Sequence, residues 1–226
     1  QGDLELRGKF VTFAENVSAS EATEIFRPFL PLAEKLGALF LGLCEQLPEN
    51  VNIDFAGEIG GYDNKITELS ALKGLFSTSG ETVSFVNAFS VAENQGVNIN
   101  ATNTTDSLDY LNTITISGGG HAIAGTVVGL KGEHRIIMVD DHTVDIPPSE
   151  HMVVLRNDDR PGVIGKVGTI LGENQINITD MNVGRSVDGY GALMVISTQN
   201  AVSETVAEHL INTEGVTQCS IINLPI

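Results

Sequence analysis

Two adjacent prolines, Pro147-Pro148, followed by Ser149-Glu150, divide the chain. Proline cannot donate to a strand ladder, so the preceding strand must stop there, and an apolar run resumes at once at Met152. The expected division is therefore a first domain over residues 1–146, a linker over 147–150 and a second domain over 151–226. The second domain has short apolar segments at two alternating periods. A strand over Met152–Leu155 is followed by a helix over Gly162–Gly172, strands over Ile176–Val183 and Ala192–Ser197, a helix over Val202–Leu210 and a strand over Val216–Ile222. The order βαββαβ predicts a four-stranded antiparallel sheet with both helices on one face. The other face, or the edges, would then be left for a second copy.

Charge narrows the partners. The 226 residues carry 12 Lys plus Arg against 29 Asp plus Glu, a formal charge of −17. Such a surface repels phosphate backbones and anionic headgroups, so neither nucleic acid nor a membrane is expected as a partner. An anionic ligand would need a local basic or amide-rich pocket. The apolar run Leu36–Leu43 is interrupted by Gly37 and Gly42 and is far short of the ~20 residues of a membrane span. Cys44 and Cys219 follow no metal or disulfide spacing and read as two buried thiols of a cytoplasmic protein. The chain opens at Gln1 with no signal peptide and no methionine, and is read as a piece of a longer protein.

In the first domain, alternation over Leu4–Phe13 predicts a strand, and Ser20 with Thr23 and Glu24 predicts a helix start. Leu32, Leu36, Leu39, Phe40 and Leu43 then form a helical stripe ending before Pro48. Val51, Ile53 and Phe55 alternate as in a strand, whereas Ile66, Leu69, Leu72, Leu75 and Phe76 return to helical spacing. A helix over Phe85–Asn94 would stop at Gln95-Gly96. From Val97 to Ile146, β-branched runs between turn residues predict a meander of strands. Ser117-Gly118-Gly119-Gly120-His121 lies between two of these runs and reads as a hairpin turn rather than an oxyanion loop. The five histidines have no ligand spacing, so no metal site is expected. With neither G-x-S-x-G nor a G-x-G-x-x-G after a strand, no catalytic residue and no cofactor site is assigned to this chain.

The segment most suggestive of binding is Asn157-Asp158-Asp159-Arg160-Pro161-Gly162-Val163, between a strand and a helix. Pro161 suits a first helical turn, Gly162 permits close backbone approach, and the helix start offers free amides to a carboxylate. Asp159 and the amide oxygen of Asn157 could accept from an ammonium group. Together these groups describe an amino-acid site; the alternative is that Asp159 merely caps the helix.

The string Val153-Val154-Leu155-Arg156-Asn157-Asp158-Asp159-Arg160-Pro161-Gly162-Val163-Ile164-Gly165, followed by Gly172-Glu173-Asn174-Gln175-Ile176-Asn177-Ile178, resembles the ACT domain, a ferredoxin-like regulatory module that binds amino acids across a pair of domains. The resemblance spans residues 151–225. Earlier segments resemble the intervening, allosteric substrate-binding domain of the long-form D-3-phosphoglycerate dehydrogenase family. These are Phe29-Leu30-Pro31-Leu32-Ala33-Glu34-Lys35-Leu36-Gly37, a Gly57-Glu58-Ile59 strand, Ala71-Leu72-Lys73-Gly74-Leu75-Phe76 and Val83-Ser84-Phe85-Val86-Asn87-Ala88.

The resemblance implies an α+β chain: a mixed α/β intervening domain, then a βαββαβ ACT domain. It implies an L-serine site at Asn157, Asp159, Pro161, Gly162, Val163 and Ile164, closed by Asn177 of a neighbouring subunit. It also implies an anion site for 3-phosphoglycerate or phosphate, for which Lys131, His134, Arg135 and His142 are the candidates, unless these are charges that merely protect strand edges. The expected function is feedback regulation of L-serine biosynthesis in a homo-oligomer joined through ACT and intervening domains. The NAD site and catalytic groups of the parent oxidoreductase would belong to domains outside this chain. Two other readings remain open: an assembly module with an empty ACT site, and a sensor of another amino acid attached to a different enzyme.

Overall fold

The structure is a computed structural model that describes residues 26–185 and 191–224, except 79, 81 and 108. The strand expected over Leu4–Phe13 and the helix start at Ser20 lie outside the described residues. The expected stripe forms helix α1 (Phe29–Leu43), in which Leu32, Leu36, Leu39, Phe40 and Leu43 are all buried. Strand β1 (Asn50–Gly57) follows, its alternate residues Val51, Ile53 and Phe55 packed beneath α1. The chain then leaves the strand. Gly57 is its last residue and Glu58–Gly61 form a 3₁₀ turn, so the strand expected over Gly57-Glu58-Ile59 is not present. Helix α2 (Lys65–Leu75) packs along α1. The next helix, α3, covers Ala88–Asn94, shorter than expected because Asn87 Oδ1 accepts from the Ser84 amide and holds the preceding residues in a turn.

Strand β2 (Asn98–Thr104) corrects the expected meander. It pairs with β1 in parallel, Asn50 opposite Asn98, at the edge of a six-stranded sheet. Parallel neighbours need a long crossover, which α2 and α3 supply. The true meander is β3 (Asn112–Gly118), β4 (His121–Val128), β5 (Glu133–Val139) and β6 (His142–Ile146), giving the order β2-β1-β3-β4-β5-β6. Gly118 pairs with His121, leaving Gly119-Gly120 as the expected two-residue hairpin turn.

After Pro147-Pro148 come β7 (His151–Asn157), α4 (Val163–Glu173), β8 (Ile178–Arg185), β9 (Ala192–Thr198), α5 (Glu204–Ile211) and β10 (Val216–Asn223). Their antiparallel sheet has the order β10-β7-β9-β8, the βαββαβ arrangement expected. Along β7 and β9, Val153, Leu155, Met194 and Ile196 face α4 and α5. Met152, Val154, Leu193 and Val195 project from the opposite face and, with Ile222 of β10, join the core of the first domain.

That opposite face is therefore covered within the chain and is not available to a second copy. The reason is visible in β9, whose seven residues are all buried, the pattern of a strand sandwiched on both sides. Contact is close enough that a Cβ on Gly42 of α1 would stand 2.7 Å from Ile222 Cγ2. Among the described residues, no helix is long and apolar enough to cross a membrane.

Candidate functional site

The turn between β7 and α4 is held by its own side chains. Asn157 ends β7 with its side chain buried toward the helices. Its Oδ1 accepts the Asp159 amide at 3.0 Å and its Nδ2 donates to Ala192 O at 3.0 Å. Asn157 thus shapes the turn from beneath, and the oxygen expected to face a ligand ammonium is engaged by Asp159.

Asp159 itself is exposed and adopts a left-handed φ of 54°. It does not occupy the N-cap of α4. Gly162 does, at φ 97°, and has no side chain with which to cap. The first amides of α4, at Val163, Ile164 and Gly165, have no partner within the helix by geometry, and the Val163 amide reaches Arg160 O only at 3.4 Å. The turn therefore sets a carboxylate at Asp159 beside a positive helix end after Pro161, in the arrangement a zwitterionic amino acid needs.

Two cations stand near this helix start, and acidic neighbours hold both. Arg160 pairs with the Asp158 carboxylate and lies 3.8 Å from Glu214, which also accepts from Lys166 Nζ at 2.9 Å. The hydrogen bond from Arg160 pulls the Asp158 carboxyl below its usual range, that from Lys166 does the same for Glu214, and Asp158 raises Arg160. With these cations engaged, the amides and the helix end are left as the groups for a ligand carboxylate.

The loop before β10 is locked to the same turn. The Asp158 amide donates to Gly215 O at 3.0 Å, while a Cβ at Gly215 would stand 2.8 Å from Val163 Cγ2 and 2.9 Å from Asp158 Oδ1. Gly215 and Glu214 were not among the residues expected at the site. A Glu-Gly pair between helix and strand signals a turn, but not which other turn it touches.

Asn177 lies at the opposite end of the sheet. It precedes β8, where Ile178 pairs with Thr198, whereas Asn157 pairs with Ala192 at the far end of β9. At ~3.3 Å per residue the length of β9 amounts to about 20 Å. Asn177 is exposed, and its Nδ2 lies 3.4 Å from Gln199 Oε1. One chain alone does not bring Asn177 and Asp159 together.

Nor does the chain gather the four residues proposed for an anion. Lys131 sits in the turn after β4, and His142 is buried at the start of β6, at the other end of β5. His134 and Arg135 are consecutive on β5 and so point to opposite faces. His134 Nε2 meets Pro28 O at 2.9 Å, while Arg135 Nε lies 3.3 Å from Asp145 and His142 Nδ1 lies 2.8 Å from Asp141. Burial, the largest influence on His134, lowers its pKa. Proximity in sequence suggested a cluster; strand alternation disperses it.

Comparison with known proteins accounts for both halves of the fold. Residues 25–140 match the D-3-phosphoglycerate dehydrogenase intervening domain, and residues 151–215 match the ACT domain. A D-3-phosphoglycerate dehydrogenase of Mycobacterium leprae is 32% identical over 227 residues, covering 98% of this chain and 43% of that protein. Those of Bacillus subtilis and Archaeoglobus fulgidus are 29% and 30% identical, covering 97% and 96% of this chain. The chain spans less than half the length of these relatives. The matches, in the same order as the two sheets, show that this chain belongs to the D-3-phosphoglycerate dehydrogenase intervening-domain family and carries an ACT domain after it.

Proposed function

We propose that this chain is the regulatory region of an NAD-dependent D-3-phosphoglycerate dehydrogenase and senses L-serine between two ACT domains. The observation that carries this reading is the β7–α4 turn, with Asp159 in left-handed backbone beside an α4 start whose N-cap has no side chain. Serine's carboxylate would lie on the amides after Gly162, its ammonium against Asp159. Asn177 would come from the second chain. The separation of Asn177 from the turn supports this, because a two-fold axis beside the edge strand β8 carries the start of one β8 toward the turn end of its neighbour. Binding regulates only in so far as serine prefers one arrangement of the two chains. In the whole enzyme that preference would restrain catalytic domains, with 3-phosphoglycerate as substrate.

Calorimetric titration with L-serine, with glycine and 3-phosphoglycerate as comparisons and the mass in solution measured alongside, tests the reading. One serine per chain in a homo-oligomer is expected; no heat from serine in an oligomeric chain overturns it. One observation favours a second reading, an ACT pair that holds subunits together without ligand: both polar groups of Asn157 are already engaged inside the turn. That reading expects no rise in melting temperature with serine or any other amino acid, since a ligand that binds the native state must stabilise it.

A further inference from the structure

Residue 156 is a charge at the end of an apolar strand, and its side chain leaves the ACT sheet for the other domain. Strand alternation places Met152, Val154 and Arg156 on the face turned toward the first domain, whereas Asn157 faces the helices. The guanidinium of Arg156 reaches the tip of the β5–β6 hairpin. One nitrogen binds Asp140 Oδ2 and the other lies 3.6 Å from Asp141 Oδ1.

Asp140 is firmly held there. Its backbone has a left-handed φ of 53°, its amide donates to Ala122 O at 2.7 Å, and its Oδ1 accepts the Ala122 amide at 3.0 Å with His121 Nδ1 at 3.2 Å. Its side chain is only 10% exposed, against 30% for Arg156. Asp141 Oδ1 also lies 2.8 Å from His142 Nδ1. The dipeptide Arg156-Asn157 therefore touches both sides: one residue grips the hairpin of the intervening domain, and the next fixes the Asp159 amide.

We propose that Arg156 is a positioning residue that couples the ligand turn 157–162 to the β5–β6 hairpin, so that occupancy of the ACT site and the setting of the domain junction shift together. The coupling rests on the serine-sensing reading for its ligand, but not for its mechanics. A change in the turn has a short route to Arg156, because the Asn157 side chain holds the Asp159 amide and Asn157 is bonded through one peptide to Arg156. Coupling of this kind is reciprocal: if serine steadies the hairpin, a loosened hairpin weakens serine. Arg suits the role because its rigid planar fork presents separate nitrogens to the two aspartates, whereas a lysine offers one flexible point charge.

Hydrogen–deuterium exchange on the full chain tests the proposal in two arms. Without ligand, Arg156→Gln and Asp140→Asn should each speed exchange about fivefold or more in the turn 157–162 as well as in the hairpin 139–142, the size of a modest coupling. An unchanged turn in both variants overturns the proposal. With saturating L-serine, the native chain should slow exchange in both segments, whereas Arg156→Gln should slow it in the turn alone. Equal protection of the hairpin with and without Arg156 overturns the proposal, as does protection of the turn but not the hairpin in the native chain. If serine protects nothing, the serine-sensing reading falls and the ligand-free arm still decides the coupling. Should Arg156→Gln fail to fold, Arg156→Lys replaces it and is expected to give intermediate exchange at both segments.

Discussion

Gly215→Ala should be among the most damaging single-methyl changes at the ACT turn. Gly215 has φ 96°, a backbone that costs an L-residue about 1–2 kcal/mol. The new Cβ would also stand 2.8 Å from Val163 Cγ2 and 2.9 Å from Asp158 Oδ1. Val163 is buried and the Asp158 carboxylate is held through its other oxygen by Arg160, so neither yields easily. Overpacking of this kind costs about 1–3 kcal/mol, bringing the loss to about 2–5 kcal/mol.

Gly120→Ala is the control. It too has a positive φ, 87°, but nothing lies within 4 Å of its would-be Cβ, so only the backbone cost of about 1–2 kcal/mol remains. Urea unfolding followed by circular dichroism compares the two. If Gly215→Ala costs no more than Gly120→Ala, the β10 loop does not pack tightly against the β7–α4 turn and does not brace it.

Asp159→Ala should weaken L-serine more than tenfold by calorimetry while keeping the fold, at a stability cost of at most about 1–2 kcal/mol for alanine in the left-handed backbone at φ 54°; unchanged affinity would remove Asp159 from the site. Asn177→Ala should also lose serine, yet mixing it with Asp159→Ala should restore about one site per mixed pair, because each site needs one residue from each chain; no recovery after subunit exchange refutes a shared site. Cys44 and Cys219 are partly buried rather than buried as expected, and that partial burial raises their thiols from 9.0 to about 11, with Asp140 adding to the rise at Cys44. The folded state then holds these protons more tightly, so their contribution is complete below pH 9 and lost as pH rises toward 11; a Cys219→Ala variant should show a shallower alkaline fall in the urea midpoint. His134 behaves in the opposite sense: burial lowers its pKa beneath 6.5, so its contribution is present above that pH and lost as pH falls through the folded value. His134→Gln should flatten that acid limb, and an unchanged limb would exclude His134 as its source.

The βαββαβ domain was legible because it repeats two simple periods between clear stops. Pro147-Pro148, the turn before Gly162 and the glycines at its ends punctuate segments whose alternation is unambiguous. The α1 stripe and the Gly119-Gly120 hairpin were legible for the same reason: each is decided by residues within one turn or one strand. Strand β2 was not. Its residues, Asn98–Thr104, are mostly exposed and polar, and nothing local says that they pair in parallel with a strand some 48 positions earlier. The dispersal of the basic residues of β5 and β6 was no more legible, since proximity in sequence does not place side chains on one face.

The identities that suit an amino-acid site, Asp159, Gly162 and Asn177, can be read along the chain because they sit at element ends, where turn chemistry is local. The use made of them depends on long-range contacts. Asn157 proves to be a brace because Ala192, brought alongside by strand pairing, supplies its acceptor. Asn177 is kept about a strand's length from the turn by the register of β8 on β9, which makes a second chain necessary for a shared site. The open face of the ACT sheet is closed by α1 over β10 and by β6 over β8 and β9, and Arg156 finds Asp140 across that junction. Hydrophobic period and turn preference act over a few residues and survive in the linear code, whereas burial, register and ion pairing between domains arise only when distant segments are packed together.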